Sequence, residues 1–283
     1  MAGGMLGRWR DRTRAVFGRR RFRRPVGLAL SGGATLGAAH VGALRALHEA
    51  EVPIDYLAGT SIGAVAAALY AFDTPVDDIE EVALEMSWLS ISSFSPSRMG
   101  LLANRRLGDV LEARIGDPEF DDARIPFAVI ATDISTGERV VLREGRVLPA
   151  VMASACMPGI FQPIEHDDRL LVDGGLVENL PIGPLRDFGA RSIIGIDLNL
   201  HREYQRPDDL IDVILNATDI AINHSTRLQV ADEIDLLIAP ALSSYSRFRS
   251  GRGHQLVEEG LRATQKALTD WHGTEERRQT PRE

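Results

Sequence analysis

The sequence predicts an α/β protein with a mainly parallel central sheet covered by helices on both faces. Two observations carry this. Short apolar runs alternate with helical segments along nearly the whole chain, the pattern of strands joined by helical crossovers. The runs are also almost continuously apolar, as strands buried on both faces are. The 283 residues suffice for one large domain or two small ones.

Residues 1–25 form an appendage that ends at Pro25. Nine arginines and one acid, Asp11, give residues 1–24 a charge of +8, and the remainder carries −16. Met5, Leu6, Trp9, Thr13, Val16 and Phe17 fall at roughly helical spacing among those arginines. The segment reads either as a basic amphipathic helix for an anionic membrane surface or as a solvated arm. The acidic body argues against a nucleic-acid partner.

From Val26 the order is strand (Val26–Leu30), glycine turn (Ser31–Ala34), helix (Leu36–Ala50), strand (Ile54–Ala58), sharp turn (Gly59–Gly63) and small-residue helix (Ile62–Phe72). Residues 75–116 read as helix, interrupted from Ser92 to Gly100. The segment Ser92–Leu102 is either a lid over an acyl pocket or a surface loop. Strands follow at Phe127–Thr132, Arg139–Leu142, Phe161–Ile164, Leu170–Val172, Ser192–Leu198 and Asp235–Ala239. Helices are expected at Leu148–Cys156, Leu210–Arg227 and His254–Trp271, with a polar frayed tail over residues 272–283.

One cysteine, Cys156, cannot form an internal disulfide, and no secretory leader or membrane-spanning run is evident. A reducing, cytoplasmic setting is expected, with peripheral membrane contact through the arm.

Gly59-Thr60-Ser61-Ile62-Gly63 fits G-x-S-x-G between an apolar strand and a helix. A nucleophile elbow needs that context, because the serine must sit on a strained corner. Gly59 and Gly63 remove Cβ atoms where backbones pass closely. The alternative use of Ser61 is a helix N-cap, and the flanking glycines favour the nucleophile. Ser31-Gly32-Gly33-Ala34 aims successive N–H groups into one concavity, suited to a phosphate or an oxyanion. Ala38 and Ala39 stand where a P-loop needs Lys and Ser/Thr, and Ala34 breaks the dinucleotide pattern, so the oxyanion role remains.

No histidine after Ser61 lies in a glycine-flanked loop. The acid that stands out is Asp173 in Leu171-Val172-Asp173-Gly174-Gly175, at a strand end. A partly desolvated carboxylate can act as base to a serine. Taken alone, Asp-Gly is usually a turn. His40 reads as a packed structural residue and Cys156 as a small buried hydrophobe. The acidic runs near Glu165 and Asp208 read as solvated loops, and neither a metal nor a cofactor is called for.

The order oxyanion turn, G-x-S-x-G, Asp-Gly-Gly resembles the patatin-like phospholipases, above all their bacterial and neuropathy-target-esterase-type branch. Ala39-His40-Val41-Gly42, Ala131-Thr132-Asp133, Ser154–Pro163 and Asn179-Leu180-Pro181 extend the resemblance from about Val26 to Trp271. It implies a three-layer α/β/α domain over residues 26–271 and a Ser61–Asp173 dyad without a catalytic histidine. It also implies an oxyanion hole from the N–H groups of Gly32, Gly33 and Ala34, and lipid or other acyl-ester substrates cleaved through an acyl-serine. A lipid-binding protein with negligible turnover and an acyltransferase are the alternatives. The turn departs from the family at Ala34, which replaces a glycine, and at Leu36, which replaces an arginine. Ala34 can still donate its N–H if its φ is negative.

Overall fold

The computed structural model describes residues 22–86, 93–94, 102–204, 206–207, 210–230, 233–246 and 251–279. The basic arm up to residue 21 and the middle of the Ser92–Leu102 segment lie outside the described residues. The end of the arm is already docked: Phe22 stacks on Trp271 at 5.7 Å between ring centroids, and Arg24 pairs with Asp55.

The strands among the described residues are β1 (Val26–Leu30), β2 (Tyr56–Thr60), β3 (Ser93–Phe94), β4 (Leu102–Ala103), β5 (Phe127–Asp133), β6 (Arg139–Leu142), β7 (Ile164–His166), β8 (Arg169–Asp173), β9 (Ser192–Ile196) and β10 (Leu236–Ile238). The main sheet has the order β10-β9-β1-β2-β5-β8-β7, with β6 also paired to β5. Strands β10, β9, β1, β2 and β5 are mutually parallel, while β8, β7 and β6 join antiparallel at one side. β3 and β4 form a separate two-stranded ribbon.

The helices are α1 (Ala38–Glu49), α2 (Ile62–Ala71), α3 (Val76–Glu85), α4 (Arg105–Ile115), α5 (Val147–Ser154), α6 (Gly183–Asp187), α7 (Leu210–Val230) and α8 (Gly253–Gln279). Alternation along β1 explains the layers. Val26, Leu28 and Leu30 enter a large core with α1, α2 and α8, whereas Ala29 faces a smaller core containing Leu180, Ile182 and Leu185 beside α6. Both faces of β1, β5 and β9 are therefore buried, as their apolar runs require.

Element boundaries differ from expectation in informative places. The turn after β1 continues as a 3₁₀ segment, Ala34–Gly37, before α1 begins. The second strand starts two residues late and runs to Thr60, directly into the elbow. Phe161 forms only an isolated bridge to Leu102, and the strand there is β7. α8 continues to Gln279 past the expected end at Trp271, through the strong helix formers Glu275 to Arg278.

Candidate active site

Ser61 sits between β2 and α2 at φ 55°, ψ −123°, a left-handed conformation that costs a non-glycine residue about 1–3 kcal/mol. Its carbonyl accepts the first helical bonds, from Ala64 and Val65. Its hydroxyl does not cap the helix. It donates to Asp173 Oδ2 at 2.5 Å. The sharp corner depends on its glycines: a Cβ on Gly59 would lie 2.4 Å from the Gly63 carbonyl oxygen, and one on Gly63 only 2.2 Å from that of Leu30.

Strand register explains how two residues 112 apart meet. Thr60 pairs with Ile130 across the parallel β2–β5 ladder, and Ala131 pairs with Asp173 across the antiparallel β5–β8 ladder. β8 thus delivers its last residue at the level of the elbow. Asp173 is only 8% exposed. Its Oδ1 accepts the Gly175 N–H at 2.8 Å, which leaves Oδ2 facing Ser61. The Asp173 main chain is clamped on both sides, by the Cys156 carbonyl and by the Thr132 hydroxyl.

The glycine turn lies across the cleft. Gly32 does not present the open N–H expected of it, since it donates to both the main-chain and side-chain oxygens of Asn179, each at 3.2 Å. The N–H groups of Gly33 and Ala34 have no partner among the described residues. Ala34 has φ 53°, so the negative φ expected of it is not adopted, yet its N–H remains unpaired. Leu36 is buried in the main core, away from solvent.

His40, fully buried, holds the Ser31 carbonyl through Nε2 at 2.8 Å. Burial pulls its pKa down from 6.5 to about 4, only partly offset by that bond, so the imidazole is neutral and donates. Between pH 6.5 and 4 the unfolded chain takes up a proton at this histidine and the fold does not. Stability is therefore full above pH 6.5 and falls as pH drops toward 4, by about 3 kcal/mol for this group. Urea-unfolding midpoints of His40→Gln against wild type at pH 7 and pH 4.5 check this. The variant is expected to lose less stability on acidification, and equal losses would refute the assignment.

Several neighbours escaped sequence reading. Ser154 accepts the Ser61 N–H through its hydroxyl at 2.9 Å. Thr218, Asp219 and Ile222 of α7 join Gly33, Ser61, Asp173 and Asn179 in lining a cleft of about 480 Å³ including its mouth. Asp219, Asn223 and Thr226, at helical spacing, were the available signal, a row of polar residues along one side of the helix. Cys156 is buried with its thiol pushed up to about 12, first by burial and then by the Asp173 charge, which keeps it protonated and unreactive. On the other side of the turn, an apolar groove of about 370 Å³ including the open space at its mouth runs from Ala34 and Ile62 between α1, α2 and α3 to Met86. Among the described residues no group of three His, Cys, Asp or Glu could hold a metal ion, and no helix is long and apolar enough to cross a membrane.

Sheet and elbow together define an α/β protein carrying a serine on a strand-to-helix corner with a carboxylate against it. The chain belongs to the patatin-like phospholipase family, whose model matches residues 28–186. It is 38% identical over 187 residues to a patatin-like phospholipase domain-containing protein of Caenorhabditis elegans, a match covering 61% of this chain and 13% of that protein. It is 33% identical over 177 residues to an NTE family protein of Mycobacterium bovis, covering 62% of this chain and 49% of the relative. The chain therefore matches a small part of the first relative and about half of the second. In fold it is similar to VipD from Legionella pneumophila, with a TM-score of 0.59 and 12% identity over 88% of this chain and 66% of that one.

Proposed function

We propose that this protein hydrolyses fatty-acyl esters of lipids through a covalent acyl-Ser61 intermediate. The observation that carries the reading is the 2.5 Å contact between the strained Ser61 hydroxyl and Asp173 Oδ2. As Oγ attacks the acyl carbon, Asp173 takes its proton. Negative charge then develops on the carbonyl oxygen, where the unpaired N–H groups of Gly33 and Ala34 and the N-terminus of α2 stabilise it. Gly32 supports the hole by its bonds to Asn179 without donating into it. The ester oxygen departs with the proton from Asp173. Water, deprotonated by the same carboxylate, attacks the acyl-serine, and Ser61 regains its proton as the fatty acid leaves.

Ser61 and Asp173 line the cleft, and the groove begins at Ala34 and Ile62, the latter next to Ser61 in the chain. In this reading the acyl chain enters the groove beside Ala34 and Ile62, and the leaving alcohol faces the cleft lined by Thr218, Asp219 and Asn179. Family membership supports lipids as the substrate class.

Fluorophosphonate labelling combined with product profiling on phospholipid vesicles tests the proposal. Labelling of Ser61 together with release of free fatty acid is the expected result. Lipid binding without labelling would mean a non-hydrolytic protein, and labelling with acyl groups recovered on an added alcohol would mean a transferase.

A further inference from the structure

Helix α7 carries polar side chains at buried positions and apolar ones at exposed positions. Asp219, Asn223 and Thr226 are 4%, 7% and 4% exposed, and the half-buried Ile222 also faces the cleft. Asn223 donates to the Tyr204 hydroxyl at 2.6 Å, Thr226 to the Ile222 carbonyl at 2.8 Å, and Arg202 approaches Asp219 at 3.9 Å. Its outward residues are apolar: Val213, Ile220 and Leu228 are 48%, 51% and 71% exposed. At about 100° per residue these three, with the exposed Ala217, Ala221 and His224, fall within one arc of roughly 100°. Ile134 and Tyr204 are the other two large hydrophobic side chains exposed among the described residues, and Tyr204 adjoins this helix. Leaving Ile or Leu in water forgoes about 1.5–3 kcal/mol per side chain relative to burial, so a stripe of this kind marks a contact surface.

We propose that the outward face of α7 docks on an electrically neutral lipid surface. The proposal rests on the lipid-ester reading of the active site. The same helix supplies Thr218, Asp219 and Ile222 to the wall of the cleft that holds Ser61 and Asp173. Laying its outer face on a bilayer brings the cleft beside the acyl esters it would cleave. The arc carries no acid, and Arg227 is the cation at its edge. The rest of the chain beyond the arm is strongly acidic, so Coulomb attraction to anionic lipid does not drive this face. Apolar insertion into a zwitterionic interface does.

Flotation of the full chain with vesicles of pure phosphatidylcholine tests this, because such vesicles give the arginine-rich arm no anionic lipid. Wild type is expected to float with the vesicles. Ile220→Asp combined with Leu228→Asp is expected to lower the partition coefficient about tenfold or more. Val213→Ser with Leu228→Ser, a milder pair, should lower it less. Hydrolysis of dissolved p-nitrophenyl butyrate should stay within about twofold of wild type in both, which shows that the fold and dyad survive. Equal flotation of wild type and both variants would overturn the proposal. So would a wild-type dimer in light scattering that the aspartate pair dissociates, since a second copy would then be the occupant. Failure of the hydrolytic reading would show separately, as absent butyrate turnover in a chain that still floats.

Discussion

Ser61→Ala is expected to lower kcat for p-nitrophenyl butyrate by about 10⁴-fold or more with little change in KM, because the acyl-enzyme can no longer form. Asp173→Asn keeps the shape of the side chain and can still meet Ser61, but it cannot accept the proton. A loss of about 10³–10⁴-fold is expected there too. The double variant should be little worse than either single one, because the two residues act as a unit. Steady-state kinetics on purified proteins decides this. Turnover surviving Ser61→Ala at a tenth of wild type would sink the acyl-serine route, and additive losses would show that Asp173 acts apart from Ser61.

Ala83→Phe should change which esters are cleaved. Ala83 is partly buried on α3 and lines the apolar groove opposite Ile62 and Val65 of α2. An aromatic ring there fills space assigned to the acyl chain. Activity on p-nitrophenyl palmitate is expected to fall by about tenfold or more relative to the acetate ester, which is too short to occupy the groove. Measuring kcat/KM across acetate, butyrate, octanoate and palmitate separates selectivity from a general loss of fold. A uniform fall across the series, or an unchanged profile, would place the acyl chain elsewhere.

The strands were legible because their apolar runs are nearly unbroken, as VGLAL, FAVIATD and SIIGI show. Such runs announce burial on both faces and therefore helices on both sides. Elbow and glycine turn were legible for a different reason. Each is a backbone problem that only certain residues solve, and Gly59 and Gly63 report close backbone approach directly. The second strand was misplaced by two residues because Ile54 and Asp55 look like its start, whereas Asp55 instead receives the N–H of Val26 and the Arg24 guanidinium. Helix α7 is legible only as a helix, since periodicity does not tell which side faces the fold.

By itself the sequence determined the alternation of elements, the strained serine between its glycines, and an acid at the end of a strand. Those features show directly in residue type and order along the chain. Tertiary structure alone decided that β8 runs antiparallel to β5, which brings the carboxylate to the hydroxyl. It also decided that Asn179 takes the Gly32 N–H, leaving the next two amides unpaired among the described residues, and that Val213, Ile220 and Leu228 of α7 point outward. The physical reason is common to all three: strand direction, hydrogen-bond competition and helix rotation are settled by partners far away in sequence, and local residue preference does not encode them.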